Sequence, residues 1–101
     1  ITYDQNTNEP VTGIIEEFHA NGQLQRRANY RDGVENGLST WFDENGQLRS
    51  TGNYIDGVRD GLWETFHGNG EAKIRTTFVN GEPYGPMEIF NEDGSSVWGD
   101  P

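Results

Sequence analysis

The chain has 101 residues, a formal charge of −10 and a hydrophobic fraction of 31%. A chain of this length forms one domain, and the lack of cysteine excludes disulfides and thiolate chemistry. The acidic balance argues against nucleic acid and against direct lipid contact, because both surfaces select for Lys and Arg.

The dominant feature of the sequence is a repeat with a step of 24 residues. Glycines, aromatic residues and Asn-Gly or Asp-Gly pairs recur in phase along the chain. A unit this short cannot bury its own apolar surface and must stack on its neighbours. We assign a structural role to the in-phase residues Gly13, Phe18, Gly22, Tyr30, Gly37, Phe42, Gly46, Tyr54, Gly61, Phe66, Gly70, Phe78, Gly85, Phe90 and Gly94.

The repeat divides the chain into five segments. Residues 1–12 are expected to form the remnant of a strand and a loop. Residues 13–36, 37–60 and 61–84 are three complete units, and residues 85–101 are a partial C-terminal repeat. Terminal units of a repeat array are commonly atypical, which fits the shortened last segment.

Each unit is predicted to be a β-hairpin. In the second unit, two runs of alternating character flank Asn45-Gly46, which is a strong hairpin signal. Pairing Phe42 with Leu48 leaves a three-residue loop that ends at Gly46, as in a type I turn with a bulge. We expect Phe42 and Leu48 to share the buried face of the sheet.

The same register predicts which residues face each other in the first unit. Opposite charges across an antiparallel pair stabilise it by roughly 0.2–1 kcal/mol. The outward face of the second strand reads as polar, whereas that of the first strand mixes apolar and polar residues. The predicted pairs are Phe18–Leu24, Glu16–Arg26 and Ile14–Ala28.

Successive units are joined by a second kind of turn. An Asp-Gly or Asn-Gly pair stands at residues 32–33, 56–57 and 80–81, and we predict wider turns there. No run shows apolar residues at helical spacing. The predicted fold is all-β: an antiparallel meander of 24-residue β-hairpin repeats that forms a single elongated, twisted sheet.

This pattern resembles the bacterial variant of the MORN repeat. The shared motif is Gly-x-x-x-x-Phe-x-x-Asn-Gly-x-Leu followed by Tyr-x-x-Gly-x-x-x-Gly, and the resemblance covers roughly residues 10–94. The family is commonly labelled the antitoxin component of a toxin–antitoxin module. The resemblance therefore implies a protein that binds and restrains a basic toxin or effector. The motif is carried in the second unit by Gly37, Phe42, Asn45, Gly46, Leu48, Tyr54, Gly57 and Gly61.

Candidate chemical groups recur in phase, which favours structural roles. His19 and His67 lie two units apart, roughly 19 Å along a stacked sheet, too far to share a zinc ion. Glu16, Glu64 and Glu88 are expected to form a solvated or Arg-paired column rather than a catalytic pair. Turn carboxylates could hold calcium, but turn formation is the simpler role. We predict no enzyme activity, no catalytic residue, no metal site and no cofactor.

The candidate partner-binding residues are Trp41, Trp63, Met87 and Ile89. They lie on the strand face whose burial the sequence does not fix. Tryptophan dominates binding hot spots, yet it also fills thin cores, so both roles stay open. The unpaired edges of an open meander are a second candidate, for strand addition or self-association.

The leading functional hypothesis is a non-enzymatic protein-binding module, with the antitoxin of a toxin–antitoxin pair as its specific form and a basic protein as partner. The alternative is a structural or envelope-associated spacer within a longer protein. Tyr3 precedes Gly13 by ten residues, which fits the tail of an earlier repeat with a longer loop. Localisation stays open between the bacterial cytoplasm and, if an N-terminal signal was removed, the periplasm or cell envelope.

Overall fold

The computed structural model describes residues 1–97, which contain strands and turns and no helix. Residues 98–101, the end of the predicted partial repeat, lie outside the described part. No helix that could cross a membrane is found among the described residues. The all-β prediction is confirmed. The strands are β1 (Gly13–Phe18), β2 (Leu24–Arg31), β3 (Val34–Phe42), β4 (Leu48–Ile55), β5 (Val58–Phe66), β6 (Ala72–Val79), β7 (Glu82–Pro83) and β8 (Glu88–Ile89).

The strands form one open antiparallel sheet. Each strand from β1 to β6 pairs with the next along the chain, and the two-residue strands β7 and β8 both pair with β6. The molecule measures 55 × 35 × 13 Å. Two packed sheets alone stand about 10 Å apart before their outer side chains are counted, so this thickness is that of a single layer. The predicted meander in one sheet is confirmed.

The hairpin tips have the predicted three-residue loop. At the second tip the Asp43 N–H donates to Gln47 O (2.9 Å) and the Gly46 N–H donates to Asp43 O (3.0 Å). Gly46 has a φ of 84°, in the left-handed region that the bulged turn requires. The equivalent pair of bonds closes the tips that contain Gly22, Gly70 and Gly94.

The predicted register is correct only for the pair that closes each tip. Phe18 pairs with Leu24 and Phe42 with Leu48, as expected. Directly after this pair a β-bulge shifts the register by one residue. In the first hairpin the extra residue is Gln25 of β2. Such a bulge adds one residue to one strand and leaves it without an opposite partner.

The predicted pairs Glu16–Arg26 and Ile14–Ala28 are therefore wrong. Neighbouring residues of a strand point to opposite faces of the sheet. A register shift of one residue therefore places each side chain of β2 on the face opposite to the predicted one. Ala28 thus lies opposite the first-strand residues that the sequence left ambiguous. The observed pairs are Glu17–Arg26, Glu16–Arg27 and Ile15–Ala28.

The turns between units are tighter than predicted. Ile55 pairs with Val58 across a loop of Asp56 and Gly57 alone, and these two residues have φ values of 49° and 83°. Two loop residues with positive φ define a type I′ turn, whose twist matches that of the flanking strands. The same loop recurs at residues 32–33 and 80–81, so the prediction of wider turns is wrong.

The buried core is thin and lies on one face. Ala28, Ser39 and Phe78 are the buried side chains of the described residues. Phe42 and Leu48 share a face as predicted, but neither is buried, because Phe42 is half-buried and Leu48 is 36% exposed, and Phe18 is 59% exposed. The bulge explains the difference. Beyond it, the small and aromatic residues of the second strand of each hairpin share a face with first-strand residues other than the phenylalanines.

Candidate functional site

A cluster of four aromatic rings occupies the centre of one side of the sheet. The Trp63 ring lies 5.6 Å from Trp41, 5.0 Å from Tyr54 and 6.1 Å from Phe78, measured between centroids. Tyr54 and Phe78 meet it edge-on, which is a favoured aromatic geometry. We call the side of the sheet that carries these four rings the aromatic face.

Trp63 is seated on the backbone of the neighbouring strand. A Cβ atom added to Gly52 of β4 would overlap the indole ring. The indole Nε1 donates to Asn53 O at 3.0 Å, which fixes the orientation of the ring. One repeat earlier the equivalent positions hold Ala28 and Ser39, which pair with each other and are buried. In these two repeats, the two positions hold either two small residues or a glycine and a tryptophan.

Two arginines lie over the aromatic rings. The Arg26 guanidinium stands 5.0 Å from the Trp41 ring centroid and forms ion pairs with Glu17 and Glu35. The Arg59 guanidinium stands 4.9 Å from the Trp63 centroid and 5.3 Å from that of Phe78. Cations over ring faces are attracted by the ring quadrupole. Among the described residues, no carboxylate lies within ion-pair distance of Arg59.

The rings of Trp41, Trp63 and Phe78 line an open groove of about 470 Å³ on the aromatic face. Two buried polar atoms of this face, Arg26 Nε and Thr65 Oγ1, have no hydrogen-bond partner within the described part of the chain. Buried polar groups ordinarily have partners, so these two unpaired atoms are exceptions on this face. The groove is lined by Trp41, Ser50, Arg59, Trp63, Glu64, Thr65, Ile74, Thr76 and Phe78.

The structure brings together two of the four predicted partner-binding residues and places a third beside them. Trp41 and Trp63 are half-buried neighbours. Ile89 of β8 pairs with Ile74, which lines the groove. Met87 precedes β8, is 49% exposed and is not among the groove residues. Their role in partner binding stays a prediction.

Sequence reasoning missed part of this site. Tyr54 and Phe78 received only a structural role, and Arg59 was not singled out. The repeat offered a signal for the first two, because the second-strand aromatics stand at a constant step. It offered none for Arg59, whose equivalent in the first unit is Glu35.

The opposite face carries charged pairs. Glu16 accepts from Arg27 Nη2 at 2.7 Å, and Glu64 accepts from Arg75 Nε at 2.9 Å. Arg75 is also the cross-strand neighbour of Glu88. Glu16 and Glu64 are thus paired with arginine, one of the two alternatives that the sequence left for this column. Among residues 1–97, no group of three or more His, Cys, Asp or Glu side chains is placed to hold a metal ion.

The histidines connect neighbouring hairpin tips. His19 Nε2 donates to Phe42 O at 2.9 Å, and the Asn21 amide donates to Glu44 O at 2.9 Å. A carbonyl oxygen only accepts, so Nε2 carries the proton. Both histidines therefore have the turn-flanking structural position that the sequence predicted. The two bonds recur two units later, from His67 to Phe90 and from Asn69 to Glu92.

Two aspartates at the tips have perturbed pKa values. The Gln47 N–H donates a hydrogen bond to the Asp43 carboxylate, and this bond lowers the pKa of Asp43 below its ordinary value. Arg49 adds a smaller effect in the same direction. The Ser95 hydroxyl and N–H lower the pKa of Asp93 in the same way. Hydrogen bonds to a carboxylate favour its charged form. Neither aspartate lines the groove, so both act as turn residues.

A family model described as the MORN repeat variant matches residues 11–32 and 35–56. These two segments of the chain resemble MORN repeats. The two matched segments begin one repeat step apart and cover the hairpin β1–β2 and, except for Val34, the hairpin β3–β4. The predicted resemblance to this repeat family is thereby confirmed. No curated protein matches the chain.

Two solved structures are similar to this chain. The first is a crystal structure of TarM, with 20% identity, a TM-score of 0.53 and coverage of 91% of this chain and 18% of TarM. The second is a mutant of S. aureus TarM, with 18% identity, a TM-score of 0.54 and coverage of 91% and 19%. The chain spans about a fifth of the length of each. At this identity the similarity shows the fold alone.

Proposed function

We propose that these MORN repeats form a non-enzymatic protein-binding module and that the aromatic face is its contact surface. The observation that carries the proposal is the Trp41–Trp63–Phe78 cluster around a groove of about 470 Å³ on an uncovered sheet. A sheet normally buries its apolar face against a second layer. Here the chain supplies a single layer, so a partner would provide the missing one.

The charge of the chain supports a basic partner. Five of its seven Lys and Arg side chains already form ion pairs with its own carboxylates. The net charge of −10 therefore reflects acidic groups that remain free to interact. Such a field raises the rate of encounter with a positively charged protein. The finer form of the proposal, suggested by the family label, is an antitoxin that neutralises a basic toxin.

The test begins with a basic protein that co-purifies with the wild-type chain. This protein is then produced in pure form, and its binding to the wild-type chain and to variants is measured by titration. Trp41→Ala removes a hot-spot ring, and Thr76→Arg places a bulky cation in the groove. We expect each variant to weaken binding by about 30-fold, the effect of a typical hot-spot loss. Circular dichroism and tryptophan fluorescence establish that each variant is folded.

Leu62→Ala is the matched control for this titration. Leu62 is a 50% exposed residue of the same strand as Trp63, and it pairs with Thr77 on the opposite face. We expect its loss to leave the affinity unchanged. Unchanged affinity in Trp41→Ala and Thr76→Arg as well would refute the role of the aromatic face.

A structural spacer is the second candidate function. The bonds from tip to tip, such as His19 to Phe42 at 2.9 Å, favour it because they hold successive hairpins side by side. A spacer needs its length and stiffness rather than an exposed aromatic surface. It would therefore tolerate Trp41→Ala without loss of binding partners, which separates it from the leading proposal.

A further inference from the structure

Arg59 is the arginine of residues 1–97 that forms no ion pair. Its guanidinium lies 4.9 Å from the Trp63 centroid and 5.3 Å from the Phe78 centroid, while the residue as a whole is exposed. A guanidinium has five N–H donors, and a carboxylate accepts two of them side by side. Within the described part of the chain, Arg59 therefore lacks the carboxylate that every other arginine contacts.

The first repeat contains the anion that is missing beside Arg59. Arg59 stands one repeat step after Glu35, and Glu35 forms an ion pair with Arg26. One repeat later the position of Arg26 is occupied by Ser50, whose hydroxyl donates to Glu64 O at 3.1 Å. The first repeat thus supplies both charges of the pair, whereas the second supplies a cation alone.

The groove beside Arg59 exposes mainly apolar surface. Trp41, Trp63, Ile74 and Phe78 line it together with Arg59. Apolar side chains displace water from a group that enters the groove, and a hydrogen bond is stronger where the local dielectric constant is low. A carboxylate bound by Arg59 would therefore gain more here than on a fully hydrated surface.

The charges around Arg59 favour a carboxylate over a phosphate group. Glu64 is the carboxylate that lines the groove, and it already accepts from Arg75 Nε at 2.9 Å. The chain as a whole carries a charge of −10. A phosphate group, with a charge of about −1.5 to −2, would meet more repulsion than a carboxylate with a single charge. The anion that fits is therefore singly charged.

The backbone around Arg59 favours a side-chain carboxylate over that of a chain terminus. Terminal carboxylates are captured by nests of free backbone N–H groups. Arg59 instead lies in a paired strand: it is opposite Tyr54 of β4, and its carbonyl accepts the Gly81 N–H at 3.2 Å. The site therefore offers a side-chain cation, and the group that matches it is the side chain of Glu or Asp.

We propose that Arg59 anchors a Glu or Asp side chain of an extended partner segment in this groove. In an extended segment, the side chains two positions before and after the acid point the same way as the acid. These two side chains are apolar and contact Trp63 and the rings beside it. The inference rests on the proposed function, because it names the group that the partner places on the aromatic face. A partner that is basic overall satisfies it, since net charge governs the encounter and this single contact sets the register.

The test uses the full chain and two blocked peptides, Leu-Lys-Glu-Lys-Leu and Leu-Lys-Gln-Lys-Leu. When extended, each places both leucines and the central residue on one side and both lysines on the other. Binding is measured by NMR from the shift of the Trp63 indole N–H signal during titration. We expect the glutamate peptide to bind about tenfold more tightly, the effect of one charge-assisted hydrogen bond. The glutamine peptide is the more basic of the two, so attraction to the acidic chain alone predicts the opposite order.

Substitutions of Arg59 test whether this residue is the anchor. Arg59→Gln should abolish the preference for the glutamate peptide. Arg59→Lys keeps the charge but loses the planar fork, and should retain a preference of about threefold. The matched control is Lys73→Gln, which removes the same charge and should leave the preference unchanged. Lys73 is exposed, has no ion pair among residues 1–97 and does not line the groove.

Three results would overturn the anchor. These are equal or tighter binding of the glutamine peptide by the wild-type chain, an unchanged preference in Arg59→Gln, and no shift of the Trp63 signal with either peptide. Circular dichroism establishes that each variant is folded. None of these results refutes the aromatic face as a contact surface, whose own test is the titration of the purified partner with Trp41→Ala. Failure of that titration would in turn leave a measured preference for the glutamate peptide in place.

Discussion

The size of one residue in β4 is matched to the size of one residue in β5. Gly52 leaves room for the indole of Trp63, whereas Ala28 meets Ser39 at the equivalent positions one repeat earlier. The repeat therefore contains an internal comparison of two packing solutions on the same backbone. Trp63 occupies the space beside Gly52, whereas Ala28 and Ser39 are both small and buried.

Gly52→Ala should destabilise the chain by about 1–3 kcal/mol, the cost of overpacking a filled site. The added methyl group overlaps the Trp63 ring, which must then leave its seat on β4. The measurement is the free energy of unfolding in urea. Unfolding is monitored by circular dichroism rather than by fluorescence, because the substitution disturbs a tryptophan.

The same substitution should cost almost nothing when Trp63 is replaced by serine. Gly52→Ala/Trp63→Ser recreates the Ala28 and Ser39 pair of the previous repeat. The difference between the two backgrounds is the coupling energy of a double-mutant cycle. An equal cost of Gly52→Ala in both backgrounds would show that the glycine is required by the β4 backbone and not by the ring.

Hairpin elements are held to one another by side chains of their tips. Asn69 donates to Glu92 O at 2.7 Å and its Oδ1 accepts the Glu71 N–H at 3.0 Å. Asn45 has the same position in the second unit, but within the described part of the chain its side chain makes no equivalent bond to the third tip. The second hairpin reaches the third near its tip through a longer bond, from Arg49 Nη1 to Phe66 O at 3.4 Å, so the third and fourth hairpins are connected more firmly at their tips.

Asn69→Ala should destabilise the chain by about 1 kcal/mol, because it removes two hydrogen bonds at a turn. Asn45→Ala is the control and should cost clearly less. Urea unfolding of both variants gives the two free energies. If both substitutions cost the same, the asparagine acts through turn propensity alone and the bond between tips contributes nothing.

The hairpin elements could be predicted from the sequence, and their exact register could not. The Asn-Gly pairs fix the three-residue tips, because a glycine is needed at the left-handed position of Gly46. The bulge at Gln25 left no comparable signal. The residues on both sides of it alternate equally well in either register, so only packing decides between them. The site shows the same limit: Trp41 and Trp63 were identified, but the contact of Trp63 with Phe78 depends on the true register.

At the scale of the whole molecule, the cooperativity of folding depends on contacts between neighbouring strands. Each long strand packs on the strands before and after it in the sequence. In such an array stability is approximately the sum of the repeats and their nearest-neighbour interfaces. The aromatic cluster adds to this in the middle, where Tyr54, Trp63 and Phe78 connect β4, β5 and β6.

This arrangement predicts a gradient of local stability along the sheet. Strands β3–β5 pair with long strands on both sides and should show the slowest amide exchange, whereas β1 and β8 open from the edges. We expect amide exchange of the hydrogen-bonded residues in β1 to be at least about tenfold faster than in β4, since edges open at lower free energy than the centre. Residue-resolved hydrogen exchange on the free chain measures both. Equal exchange rates across β1–β6 would mean that the sheet opens only as a whole, and nearest-neighbour stacking would then not describe its stability.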